Sequence, residues 1–146
     1  MKVHNECRLE FPSRSSNESF ARMTAAAFAA QLDPSLEELE DIKTAVSEAV
    51  TNCIVHAYPE EMGRIRMRLR VLEGNVLEIS VQDWGRGIED VEKAREPLFT
   101  TGGDSRGGMG FTIMESFTDK LRVRSRPGKG TAVIMQRQIR PRSRRP

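Results

Sequence analysis

Apolar and polar positions change period several times along this chain, and each change marks an element. Cys7, Leu9 and Phe11 alternate with Arg8 and Glu10, the period-two signature of a strand. In SRSSNESF, Ser15 and Glu18 have capping-box spacing, and Asn17 is an alternative N-cap. An alanine-rich helix is expected from there to about Leu32. Phe20, Met23, Thr24, Ala27 and Gln31 share one of its faces, with Arg22, Ala25, Ala26 and Ala29 roughly opposite. Asp33-Pro34 breaks it, and Ser35 with Glu38 forms a second candidate capping box. The next helix is expected to reach Ala57. Its seam is Leu39, Ile42, Val46, Ala49, Val50, Cys53, Ile54 and Ala57.

Beyond Tyr58-Pro59 the period returns to two. Ile65, Met67, Leu69 and Val71 alternate with four arginines, and Leu77, Ile79 and Val81 alternate with Glu78, Ser80 and Gln82. Glu73-Gly74-Asn75 joins them as a hairpin turn. One face of this sheet is apolar and one wet, with Glu78 placed to neutralise arginines across strands. A short helix over 89–95 follows, then a glycine-rich loop over 97–110 and a helix from about Gly110 to Phe117. Lys120–Arg126 and Thr131–Arg137 close the chain as a hairpin around PGKG. The order β-α-α-β-β-α-α-β-β predicts an α+β two-layer sandwich, with a mostly antiparallel mixed sheet and helices on one face.

Composition adjusts this picture at one end. The 146 residues suit one domain with its own core. No apolar run approaches the roughly 20 residues of a membrane span, and MKVHNECRLEFPSR lacks a secretory apolar stretch. A cytoplasmic protein is expected. Cys7 and Cys53 form no metal-ligand pattern and are expected as reduced, inward thiols. The net charge of +2 becomes −3 once the five arginines of RQIRPRSRRP are left out. The basic character therefore belongs to a tail. A folded domain over 1–137 and a disordered basic tail over 138–146 are expected, with no direct nucleic-acid contact required.

Four stretches carry candidate chemistry. In EAVTNCIVHAY, Glu48 and Asn52 share a helical face away from the apolar seam. Alone, this reads most simply as a solvated face. DWGRGI, residues 83–88, sets a carboxylate at a strand end before close-approach backbone; a plain turn explains it equally well. LFTTGGDSRGGMGF, residues 98–111, runs into a helix N-terminus, where free N–H groups favour phosphate, and a flexible linker is the other reading. GKGTAV places Thr131 at a strand start and says little by itself.

In this order the four resemble the boxes of the GHKL ATP-binding superfamily. EAVTNCIVHAY looks like its N box, DWGRGI and GGMGF its two glycine boxes, and Gly130-Thr131 its closing element. NESFAR, AQLDPSLEELEDIKTAVSEAVTN, PLFTT and GMGFTIMESF further resemble the SpoIIAB family of anti-sigma factors, which hold sporulation sigma-F. The likeness covers nearly the whole chain up to the arginine tail. It departs where the family commonly has a lysine after LFTT, since Gly102-Gly103 stand here.

The resemblance implies a two-way role. The family binds its sigma factor, keeping it from RNA polymerase, and uses Mg-ATP to phosphorylate a serine on an anti-anti-sigma protein. Two subunits normally form the binding platform, so a homodimer is implied. Asp83 would accept from the adenine amine, with Thr131 supporting through a hydroxyl or a water. Gly85 and Gly87 would let backbone pass close to the base. Asn52 would offer its amide oxygen to Mg²⁺, and Glu48 would be the general base. Gly108 and Gly110 would bring N–H groups to the phosphates, Arg106 would neutralise them, and Thr100, Thr101 and Ser105 would be lid contacts. His56 is expected to be structural. Arg22, projecting from an alanine-rich face, is a candidate partner anchor. The alternatives are the homologous kinase of a general-stress sigma factor, or a module that binds ATP without transferring phosphate.

Overall fold

A computed structural model describes residues 1–96 and 110–140. The elements run β1 (Val3–Pro12), α1 (Ser16–Ala29), α2 (Leu36–Asn52), β2 (Arg64–Leu72), β3 (Val76–Asp83), α3 (Val91–Ala94), α4 (Gly110–Ser116), β4 (Lys120–Arg126) and β5 (Gly130–Gln138). This is the expected order. The strands form one sheet, β1-β2-β3-β5-β4. Its four pairings are all antiparallel, so among the described residues the sheet is not mixed. No helix among the described residues is long and apolar enough to cross a membrane.

Strand alternation does what it predicts. Ile65, Met67, Leu69, Leu77, Ile79 and Val81 are buried on the inner face. On the outer face Glu78 takes both Arg70 (2.6 Å) and Arg68 (3.5 Å), and accepts from Gln136 at 2.8 Å. Burial would raise the Glu78 carboxyl, but the Gln136 and Arg70 hydrogen bonds and the nearby guanidinium charges outweigh it and hold it below the usual range. Glu10 pairs with Arg66 at 2.7 Å, so this arginine row is largely compensated. The β2–β3 turn closes through Gly74 and Asn75, both at positive φ (85° and 63°).

The helices depart from expectation in three ways. Ser15 is itself helical and caps nothing with its side chain; the Ser15–Glu18 box does not form, and Asn17 donates to the Pro12 carbonyl instead. Second, α1 turns its small residues inward. Ala21, Ala25 and Ala29 are fully buried and α1 lies on α2, whereas Phe20 and Met23 are 54% and 55% exposed. An alanine seam lets two helices approach closely, which large side chains would prevent. Third, α2 stops at Asn52. Cys53–Ala57 forms a π-helical turn, with Tyr58 N–H donating to Cys53 O at 3.2 Å. The Ser35–Glu38 capping box is present in both directions.

At the far end β5 reaches Gln138 and Ile139 is buried in the core. The expected boundary at 137 therefore falls inside a core strand. Arg137 ties this end to α2 through Asp41 at 2.9 Å and to the Phe117 carbonyl at 2.7 Å. Residues 141–146 of the expected tail lie outside the described residues.

Candidate nucleotide site

The C-terminal half of α2, its π turn, the end of β3 and the start of β5 enclose a cavity of about 600 Å³. Two motifs distant in sequence meet here because Asp83 and Thr131 are register partners across β3 and β5. Asn52, Asp83, Gly87 and Thr131 all line the cavity.

Asp83 ends β3 and is only 4% exposed. Its Oδ1 accepts from Gly85 N–H at 3.0 Å and Thr131 N–H at 3.2 Å. The Cys53 thiol lines the same cavity as this carboxylate. Burial raises the Asp83 carboxyl above its ordinary range, while the two backbone donors and the neighbouring Cys53 thiol act in the opposite sense. The expected route for Thr131 changes here. Its backbone N–H meets Asp83, while its hydroxyl pairs with Ser125 Oγ at 2.8 Å. Burial, with the Asp83 charge adding to it, pushes the Cys53 thiol well up.

The glycines of DWGRGI are explained by protein backbone. A side chain at Gly85 would strike the Ala57 carbonyl of the π turn. Gly87 has φ +76° and abuts the Arg126 carbonyl, so only glycine is unstrained there. Gly110 opens α4 against Asn52: an added Cβ would lie 3.2 Å from both amide atoms of Asn52. The start of α4 and the end of α2 are thus brought face to face. Glu48 is half-buried one turn along α2, ~6 Å from Asn52 along the axis. The cavity lining includes Asn52 but not Glu48.

Tyr58 anchors the floor of this region. Its hydroxyl accepts from Trp84 N–H and donates to Arg64 O, both at 2.7 Å. Trp84 in turn carries the Arg64 guanidinium 3.9 Å above its ring. Tyr58→Phe would strand a backbone N–H directly after Asp83. The expected loss is about 1–3 kcal/mol, measured by chemical denaturation; an unchanged midpoint would remove this link.

Several residues were missed or moved. Cys53, read from the pattern as a buried thiol, lines the cavity together with Asp83; no sequence signal marks that. Arg86 and Lys93 also line the cavity, as does His56, which the α-helical row had set apart as structural. Arg22 is not framed by an alanine surface. Ala25 and Ala29 are buried, and Arg22 bonds Glu18 at 2.9 Å. Thr100, Thr101, Ser105, Arg106 and Gly108 lie outside the described residues.

Does this site suit the groups the resemblance implies? A buried carboxylate with one oxygen already held by backbone suits recognition of an exocyclic amine. Among the described residues no group of three His, Cys, Asp or Glu could hold a metal ion. An amide oxygen such as that of Asn52 suits Mg²⁺, which takes few protein ligands alongside phosphate and water.

A family model described as a histidine kinase-like ATPase domain matches residues 11–137. The chain is 59% identical over 140 residues to a protein named anti-sigma F factor from Caldanaerobacter subterraneus subsp. tengcongensis, covering 95% of this chain and 97% of that one. It is 53% identical over 138 residues to the anti-sigma F factor of Clostridium acetobutylicum, with 94% and 96% covered. Among solved structures, the RsbU and RsbW domains of a Mycobacterium tuberculosis protein superpose with a TM-score of 0.68 at 18% identity, covering 94% of this chain and 33% of that one. The mycobacterial sensor histidine kinase MprB gives 0.59 at 17% identity, covering 94% and 99%. These two likenesses concern the fold alone. The matched family and the relatives together place the chain: it belongs to the histidine kinase-like ATPase domain family and, within it, to the anti-sigma F factors.

Proposed function

We propose that this chain is a cytoplasmic anti-sigma factor that binds sigma-F, withholds it from RNA polymerase, and phosphorylates a serine on an anti-anti-sigma partner with Mg-ATP. The observation that carries the nucleotide part is Asp83, a buried carboxylate held by two backbone donors in a cavity that Asn52 also lines. The names of the relatives support the sigma-F part, and at 59% and 53% identity they favour it over a general-stress counterpart.

When bound, Mg-ATP supplies the transferable phosphoryl group and neutralises charge around it. The chain's residues supply position and proton chemistry. Asp83 accepts from the adenine amine. Asn52 would hold magnesium through its amide oxygen, and Gly110 leaves room for that side chain. Glu48 takes the proton of the attacking serine hydroxyl. Gly108, Thr100, Thr101, Ser105 and Arg106 are the proposed phosphate-side contacts. Simple nucleotide binding needs no base beside the metal, so Glu48 speaks against a module that only binds. A homodimer provides the partner platform.

Labelled Mg-ATP mixed with a cognate anti-anti-sigma protein tests this. Label is expected on a serine of the partner, and none on a competent substrate would reject the kinase reading. Arg22 remains the proposed sigma contact, now as an arginine fixed by Glu18. Arg22→Ala is expected to weaken sigma binding ~5- to 10-fold with ADP affinity unchanged. Equal retention of sigma would return Arg22 to the ordinary surface.

A further inference from the structure

Residues 120–138 contain no acidic side chain. They form β4, β5 and the turn between them, at one edge of the sheet. Leu121 and Val123 pack on the core, so Lys120, Arg122, Arg124 and Arg126 stand at alternate positions on the outer face, all four exposed. Lys129 in the turn is exposed as well. Of this hairpin's cations only Arg137 makes an ion pair among the described residues, with Asp41. Asp119, directly before β4, is already held by Gln138 N–H at 2.7 Å. On β2 the outer arginines have Glu10 and Glu78 to answer them. Arg122 and Arg124 instead face Ile134 and Ala132 on β5, with Ser80 and Gln82 beyond on β3. No carboxylate stands across from them on either strand. A groove of about 640 Å³ lies against Gln82, Arg124, Arg126, Lys129 and Ala132. The one acid that lines it, Asp83, is 4% exposed and held through Oδ1 by backbone donors.

We propose that this edge of the sheet binds the phosphodiester backbone of nucleic acid, without regard to base sequence. Charge excludes two nearer occupants. A second copy pairing edge to edge along β4 would set arginine against arginine, and the arginine-rich C-terminal segment carries the same sign. The occupant is therefore an anion from outside this chain. Alternate residues of a strand lie about 6.8 Å apart, close to the separation of successive phosphates along one nucleic-acid strand. A phosphodiester chain carries a charge at every step by its own chemistry. A peptide would need carboxylates at alternate positions of one particular sequence. Three of the four outer cations are guanidinium groups, whose planar fork suits phosphate oxygens. Charged side chains on an edge strand also deter unwanted pairing. That role needs charge alone and predicts no affinity for polyanions, so binding and its salt response separate the two.

The experiment follows the fluorescence anisotropy of a labelled mixed-sequence DNA duplex, and of its single strand, on titration with the full chain across a salt series. Wild type is expected to bind both, with log affinity falling linearly against log salt. On the duplex each phosphate contact contributes about 0.9 to that slope. The combined variant Arg122→Gln, Arg124→Gln, Arg126→Gln is therefore expected to lower the slope by about 2 to 3 and to weaken low-salt binding about tenfold or more. Its ADP affinity is expected to match wild type, which checks the fold. Should that variant lose ADP as well, Arg124→Gln alone is read by the same slope, with an expected fall of about 0.9. Lysine at the same three positions keeps the charge and is expected to keep the slope. No duplex or single-strand binding by wild type at low salt overturns the proposal. So does a wild-type slope in the glutamine variants. A full-length chain with Arg142→Ala, Arg144→Ala and Arg145→Ala shows whether binding belongs to the C-terminal segment; if it alone abolishes binding, the strand has no part. Poly-glutamate that displaces the duplex at equal charge would make this a surface for acidic protein and overturns it too.

Discussion

Asp83→Asn is expected to lower ADP and ATP affinity by roughly 100-fold while leaving the fold at least as stable. The asparagine keeps one oxygen for Gly85 N–H and Thr131 N–H but places an amide N–H₂ where the free acceptor stood. That group meets the adenine amine donor to donor. Stability moves the other way. Burial raises the Asp83 carboxyl above its unfolded value. Between those two pKa values the folded chain binds more protons than the unfolded one, so this group's contribution to stability falls as pH rises through that window. A neutral side chain escapes that loss. Isothermal titration and thermal melting measured together check both halves. Unchanged nucleotide affinity would remove Asp83 from the site, and a collapse of stability would make it a structural residue.

Glu48→Gln is expected to cut phosphoryl transfer to the anti-anti-sigma protein by about 10²- to 10⁴-fold, with ADP affinity close to wild type. The split follows from geometry. Glu48 lies one turn along α2 from Asn52 and outside the lining that holds Asp83, so the base pocket does not use it. A glutamine of the same shape cannot accept the hydroxyl proton. Single-turnover transfer beside equilibrium binding separates the two quantities. If transfer survives, the general base is elsewhere; if binding falls with it, Glu48 acts on the ground state.

Much of this was legible before the structure. The first two helices and the central hairpin follow from changes of hydrophobic period, and β2 and β3 bury the residues that alternation points inward. Asn52, Asp83 and Thr131 do share one cavity. Less legible was anything that depends on which surface an element meets. The Ser15–Glu18 spacing is right for a capping box, but helical backbone at Ser15 itself leaves its hydroxyl out of position. The first strand begins at Val3 because backbone pairing with β2 continues past the last apolar alternation. The role of Thr131 passes from hydroxyl to N–H because Ser125 takes the hydroxyl.

By itself the sequence determined the order of elements, the inward set of the central hairpin and the identity of the polar groups available for chemistry. Period and residue type are local properties, and local sterics and solvation act on them directly. Tertiary structure decided the rest. Close approach of α1 and α2 put Ala21, Ala25 and Ala29 inside and left Phe20 and Met23 out, because contact distance outranked side-chain size. The π turn put Cys53 in the cavity that Asp83 lines, and β-register brought Thr131 to that carboxylate. Cys53 and Thr131 lie 30 and 48 residues from Asp83 along the chain, and no local preference joins them; only packing of the two layers brings them to one cavity.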